Sequence, residues 1–497
     1  MSLKQKSANA FVWSLMGTFS TQGITFLVSI VLARLLEPEE FGLVGMAMVF
    51  TGMSSIFINM GFTTALVQSD NDTSIARSSV FYFNIFMALL LFVFFYFTAP
   101  YIARFYGNDT ITSLVRLYSF STLIASLNTV QTTLLVKYLR FKEFTLRRFV
   151  AAVASAIVGV IMAFKGYGVY ALVGQSITSS IVGVILLWSI TEWKPRLEFS
   201  FAALREMAGY STYVFFTQGV GQAIQRSNAL IIGKLFSPAT LGFFTRANSL
   251  NAIIFKYTSG SLSKVFFPVL SQLKNDLKRF TDVFIKTYHA TALIVFLIIG
   301  VAMCSGEFLI ITLFGEKWQP SVFIFQIVIL RAYGAPLNSN IGQAFLALGK
   351  AKENFWHNNL RKLLTISSFG IAFWFGFEAY LYVLPVLTVI VTAYNLVIVS
   401  RLLNVNIMRI AGELLKCILA FGIGLLPWKF MTIEPLFLNA VVGSAAFVVI
   451  YLVTIAAIAS ENFYRTKDLL FSYIHSLLKK KKKSAKVVKE ELVEEQT

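Results

Sequence analysis

Charge is scarce in this sequence. Asp, Glu, Lys and Arg make up 13% of 497 residues, about half the share found in an ordinary soluble domain. Cysteine is scarcer: Cys304 and Cys417 both lie in or beside apolar runs, which excludes a disulfide-stapled secreted scaffold. The three histidines, His289, His357 and His475, are too scattered to build a metal constellation. Neither a Walker A pattern nor a glycine-rich strand-to-helix turn is present, so no nucleotide or other cofactor is expected, and ATP hydrolysis by this chain is not expected either. Acidic residues are missing from one place in particular. None of the 24 falls in the middle of an apolar run; Glu307, Glu378 and Glu413 come closest, at the ends of runs.

What the sequence has is apolar length. Hydrophobic residues make up 57% and the mean hydropathy is +0.71, with long apolar runs recurring from Ala10 to Ser460. The bilayer is therefore the solvent for most of the chain. Crossing about 30 Å of hydrocarbon takes roughly 20 residues of helix, and open sheet edges cannot sit in lipid. The fold class expected is all-α: a polytopic membrane protein of about 14 transmembrane helices. The segments fall near 10–34, 41–66, 79–103, 112–136, 148–165, 168–190, 210–234, 241–267, 285–305, 320–347, 360–377, 380–402, 412–429 and 435–460. The ninth either stops near Cys304, leaving Gly306 to Gly315 at the interface, or runs on through Glu307.

The net charge of +19 would suggest nucleic acid in a soluble protein. In a polytopic one it follows from the Lys/Arg bias of cytoplasmic loops, and no nucleic-acid partner is expected. With both termini inside, 31 of the 43 Lys and Arg fall in cytoplasmic loops and tails and seven fall outside, among them Arg34 and Lys234. Five lie within spans: Arg226, Arg246, Lys256, Lys264 and Arg331. No cleavable signal peptide is expected, because the run from Ala10 to Leu36 is long enough to span and lacks a convincing cleavage site. The tail carries Lys479 to Lys483, Lys486 and Lys489, followed by Glu490, Glu491, Glu494 and Glu495. It reads either as a solvated tail that reinforces topology or as a contact for anionic lipid.

The chain also resembles itself. VLARLLEPEEFGLV (Val31 to Val44) matches IIGKLFSPATLGFF (Ile231 to Phe244), with Arg34, Leu35, Pro38 and Gly42 in register with Lys234, Leu235, Pro238 and Gly242. A Thr-Gln-Gly precedes both copies, at Thr21 to Gly23 and Thr217 to Gly219. A second match pairs Leu127 to Glu143 with Leu337 to Glu353. Six spans separate the copies, so the repeat is parallel, and a substrate path is expected between two lobes. The domains expected are a six-helix lobe (1–195), a cytoplasmic linker (196–209), a second six-helix lobe (210–405), an appended helix pair (406–460) and a basic then acidic tail (461–497).

The charges inside the spans have one sign. Each costs roughly 2.5–3.5 kcal/mol at a helix centre, and an all-cationic interior favours an anion. In the seventh span Gln218, Gln222, Gln225 and Arg226 sit at i, i+4, i+7 and i+8, on one stripe. In the eighth, Arg246 and Lys264 lie on one face near opposite membrane surfaces, with Lys256 near mid-depth. In the tenth, Arg331 and Asn338 share a face beside Gly334 and Pro336, where a kink is expected. Each feature has a plainer alternative. Arg246 and Lys264 also fit interfacial snorkelling, and the glutamines, with Gln22, Asn128 and Gln343, also fit ordinary interhelical hydrogen bonding. Arg226, Arg331 and Lys256 are the expected anion ligands.

Three features carry a family likeness: LARLLEPEEFGLVGMAMVF (Leu32 to Phe50), LFG-x-x-W (Leu313 to Trp318), and the count of six, six and two helices. The chain resembles the Wzx-type polysaccharide transporters of the multidrug/oligosaccharidyl-lipid/polysaccharide exporter superfamily, with most likeness to members associated with colanic and teichuronic acid export. The resemblance covers about the first 400 residues. It implies a flippase, not an enzyme, moving an undecaprenyl-pyrophosphate-linked oligosaccharide across the bacterial inner membrane by alternating access, with membrane lipid and glycan polymerase or export machinery as partners. The alternative within the superfamily is an exporter of small cationic compounds. Such an exporter, like simple proton or sodium coupling, is expected to need an intramembrane carboxylate, and none is placed at a span centre.

Overall fold

A computed structural model describes residues 3–69, 73–431 and 433–458, with side chains described throughout except at 3–8, 11 and 255–265. The tail, and the side chains of Lys256 and Lys264, lie outside the described residues. Within them the chain is helical and contains no strand. The helices are α1 (Leu3–Leu35), α2 (Pro38–Thr51), α3 (Ser54–Asn59), α4 (Phe62–Gln68), α5 (Ser74–Tyr106), α6 (Thr110–Ser126), α7 (Thr129–Lys137), α8 (Phe141–Phe164), α9 (Tyr170–Ile190), α10 (Phe201–Leu235), α11 (Pro238–Gln272), α12 (Leu277–Phe314), α13 (Pro320–Leu330), α14 (Gly334–Ala347), α15 (Ala351–Leu402), α16 (Ile407–Phe430) and α17 (Leu436–Ile458).

Among the described residues, ten helices or broken helices are long and apolar enough to cross a membrane, and the pair α6 and α7, bent by 46°, makes an eleventh. Helix α15 has 52 residues, about 78 Å at the helical rise, more than twice a hydrocarbon thickness. It is interrupted at Gly376, whose φ of 84° no helix contains, so it supplies two spans. Helices α10 and α11, of 35 residues each, are long enough but more polar. Adding these brings the crossing segments to the fourteen expected.

The helix boundaries follow from local chemistry. Pro38 and Pro238 open α2 and α11, where a missing N–H costs nothing. The backbone N–H of Glu37 donates to Glu40 Oε2 at 2.7 Å, securing the start of α2. The second span is broken twice, at Gly52 and at Met60–Gly61, where φ is 39° and 80°. The tenth is broken by a 3-10 turn at Arg331–Tyr333, beside the expected kink.

By packing, the chain gathers into two compact units. Among the described residues, the first comprises those up to Ser249 with Ile310–Ile324 and Thr365–Tyr380; the second comprises Leu250–Leu309, Phe325–Leu364 and those from Leu381. In the first unit α8 packs on α1 and α9, while α10 lies against α2, α4 and α5. Its core includes Phe62, Leu66, Val80, Phe81, Val130 and Leu134. In the second, Gly300 of α12 and Gly424 of α16 let both helices close onto the Phe447 ring of α17, the small-residue packing that lipid-embedded helices depend on.

Candidate functional site: a polar pocket beside Arg226

The stripe on α10 opens onto a cavity. Gln218, Gly221, Gln222 and Gln225 line one side, and Ser55, Ile56 and Asn59 of α3 line the other, around about 400 Å³. No carboxylate is among these residues. The pocket exists because the second span does not run straight: the breaks at Gly52 and at Met60–Gly61 isolate α3 as a six-residue helix. Gly61 is also needed for closeness, since a Cβ there would strike the Ser211 carbonyl of α10. Asn59 Oδ1 is buried without a hydrogen-bond partner among the described residues, leaving an acceptor for an incoming donor.

Arg226 sits one residue beyond the last glutamine of the stripe. Its Nη1 donates to the Met48 carbonyl at 2.5 Å, in the last turn of α2, sharing that oxygen with the Gly52 N–H. The guanidinium lies over Gly52, where any Cβ would collide with it. One face is thus fixed by backbone, while Nε has no partner among the described residues.

The remaining candidates are distributed differently. Gln22 is half-buried on α1 and does not line the pocket. Arg331 lies half-buried in the 3-10 turn of the second unit. Asn338 is buried there, donating from Nδ2 to Thr392 Oγ1 at 3.2 Å and accepting from Asn395 Nδ2 at 2.9 Å. Arg246 is 7% exposed, and its guanidinium is enclosed by the rings of Phe41, Phe314 and Trp318, at 4.4, 4.8 and 5.1 Å.

That aromatic cage is part of a larger junction in the first unit. Trp318 Nε1 donates to the Ala33 carbonyl at 2.9 Å. Arg34 donates to the Leu313 carbonyl at 3.0 Å and to that of Thr312, and Lys317 pairs with Glu37 at 3.2 Å. At its centre the repeat meets itself. A Cβ on Gly42 would collide with the Pro238 carbonyl, and one on Gly242 with the Pro38 carbonyl. The residues that made the sequence familiar therefore build this junction.

Sequence reasoning missed Ser55, Asn59 and Gly52; the available signal was a cluster of small and polar residues inside an apolar run. It also placed Glu413 at a span end without recognising that it is buried, at 7% exposure.

Comparison with known proteins adds four findings. The family described as "Polysaccharide biosynthesis protein" matches residues 31–323. The succinoglycan biosynthesis transport protein ExoT of Rhizobium meliloti (strain 1021) is 24% identical over 62% of this chain and 62% of its own length. The teichuronic acid biosynthesis protein TuaB of Bacillus subtilis (strain 168) is 26% identical over 64% of this chain and 67% of its own. The chain thus spans about two thirds or less of the length of these relatives. Among solved structures, the lipid II flippase MurJ in an inward closed conformation matches with a TM-score of 0.71 at 16% identity, covering 93% of this chain and 100% of that one. At that identity the match establishes a shared fold.

Proposed function

Because the chain belongs to the polysaccharide biosynthesis protein family, we propose that it is a flippase carrying an undecaprenyl-pyrophosphate-linked oligosaccharide across the bacterial inner membrane, with both termini in the cytoplasm. The observation that carries this reading is the pocket on α10 and α3: amides, hydroxyls and a neighbouring guanidinium, with no acid among its lining residues. Amides and hydroxyls both donate and accept, as sugar hydroxyls do. The guanidinium donates only, and binds phosphate oxygens by charge-assisted hydrogen bonds. A pocket for small cations would be lined the other way, so the cationic-compound exporter is the weaker reading.

In this proposal the headgroup enters the pocket while the prenyl tail remains in lipid. Gln218, Gln222, Gln225, Ser55 and Asn59 contact sugar, and Arg226 faces the pyrophosphate. Arg331 and Lys256 supply further positive charge along the path. The chain performs no covalent chemistry. Alternating access takes place between lobes at residues 1–195 and 210–405, with 196–209 as the connection between them. Glycan polymerase and export machinery receive the product.

The test is mass spectrometry of lipid-linked precursors in a strain whose only copy carries Arg226→Gln. Hydrogen bonds to charged groups contribute about 1.5–3 kcal/mol, so export falls by roughly tenfold or more, precursor accumulates, and the amount of protein in the membrane is unchanged. Wild-type export by this variant would sink the assignment of Arg226.

A further inference from the structure

Away from the pocket, the second unit buries a cluster of titratable side chains where α12, α16 and α17 meet. Glu413 is the only buried carboxylate among the described residues. One of its oxygens lies 3.1 Å from His289 Nδ1, and the other 3.1 Å from Lys416 Nζ. His289 is 3% exposed, whereas the Lys416 side chain keeps 28% of its surface. Cys417 Sγ approaches the same imidazole nitrogen at 4.0 Å.

The groups facing this pair come from four elements. Helix α12 presents Tyr288, fully buried, and Asp282 at the exposed edge. Helix α16 presents Lys416, Cys417 and Arg409, the last donating to Asp282 at 2.8 Å. Helix α17 presents Tyr451, whose hydroxyl donates to the Leu293 carbonyl at 3.0 Å. The 3-10 turn before α14 presents Tyr333, stacked on Phe296.

With the imidazole neutral, one carboxylate facing one ammonium leaves the cluster without net charge. Adding a proton leaves a buried positive charge, which apolar surroundings penalise strongly. Lys416 offers a way to remove it. Its stem is long, its head is already partly exposed, and such side chains reach the interface readily. A proton from the aqueous phase adds to the Glu413 carboxylate, the ammonium withdraws, and the cluster is neutral again. What is lost is the carboxylate charge facing His289, the buried polar tie between α16 and α12, while the Arg409–Asp282 pair remains at the exposed edge. Glu413 lies six residues beyond the start of α16, about 9 Å along the axis, on the side that the lysine and arginine distribution assigns to the cytoplasm.

We propose that His289, Glu413 and Lys416 form a proton-binding site reached from the cytoplasmic side, and that a proton bound there loosens α16 from α12 and so makes transport respond to cytoplasmic pH. The link to transport rests on the flippase reading; the proton site does not.

The experiment uses the full chain in lipid nanodiscs and N,N′-dicyclohexylcarbodiimide, which attacks protonated carboxyls in apolar surroundings. Mass spectrometry follows the Glu413 peptide between about pH 8 and pH 5.5. The labelled fraction is expected to rise at least about fivefold as the pH falls. Hydrogen exchange across α16, corrected for its intrinsic pH dependence, accelerates over the same interval in the wild type. In Glu413→Gln, which mimics the protonated carboxyl, exchange is fast at both pH values. Absence of labelling, labelling that ignores pH, or wild-type exchange that does not change would each overturn the proposal, and the wild-type labelling decides it even if the variant fails to fold. Since no cargo is used, a failure here leaves the flippase reading intact. Conversely, a wild-type chain that labels as expected but moves no lipid-linked oligosaccharide refutes the flippase reading alone.

Discussion

Replacing Gly42 by alanine should pry open the junction at the start of α2. The added Cβ would overlap the Pro238 carbonyl, a backbone atom that cannot rotate aside as a side chain would. Relief requires α2 and α11 to separate at that end. Forcing a methyl into a packed contact costs about 1–3 kcal/mol, and the cost disappears once the helices part. A shift of that size multiplies the open population by about 5- to 150-fold. The reporter is Leu241→Cys, because Leu241 has 0% exposure beside this junction. An impermeant maleimide added from outside should label that cysteine faster by the same factor when Gly42→Ala is present. Gly242→Ala, which meets the Pro38 carbonyl, should act in the same direction. The double variant should fall short of the product, since one separation relieves both overlaps. Gly23→Ala, with nothing within 4 Å of its new Cβ, is the control and should leave the rate alone. If Gly42→Ala labels at the parental rate, the contact does not hold this end shut and the reasoning fails.

Two further outcomes follow from the same geometry. Arg246→Met keeps an apolar body inside the cage of Phe41, Phe314 and Trp318; replacement of a buried charge by a packed apolar side chain is commonly neutral, so thermal stability and export both stay near wild type, whereas Arg246→Ala lowers the melting temperature. Loss of export by the stable methionine variant would make Arg246 a substrate ligand. Asn338→Leu deprives Asn395 Nδ2 of its acceptor and Thr392 Oγ1 of the hydrogen bond it accepts, which costs about 1–3 kcal/mol and lowers the melting temperature in detergent by a few degrees.

The helices were legible because lipid demands roughly 20 apolar residues per crossing, and no other element meets that demand. Helix α10 tests this rule: its stripe and Arg226 make it more polar than most spans, yet residues 210–234 still read as an apolar run, and the likeness of its end to that of α1 supports the reading. The stripe was legible too, because side chains at i, i+4 and i+7 share a face wherever the helix is placed. Its opposite wall was not. Ser55 and Asn59 reach the pocket only because Gly52 and Gly61 break the second span, and a broken span looks continuous in hydropathy. Arg246 shows the larger difficulty. Phe41, Phe314 and Trp318 come from segments far apart in the chain, so the cage depends on tertiary placement. Glu413 looked interfacial because it begins an apolar run; its burial depends on His289 from a distant helix. The two compact units are likewise a product of packing and do not follow the repeat boundaries.

The Gly–Pro contact also bears on how the two halves can diverge. Gly42 lies against the copy of its own preceding proline, and Gly242 against the other. Any side chain gained in one half is tested against the backbone of the other, so neither half can drift alone at these positions. Such mutual contact constrains both copies at once, at the places where the repeat touches itself. Pro38, Gly42, Pro238 and Gly242 are such places, and they are among the residues by which the repeat was found.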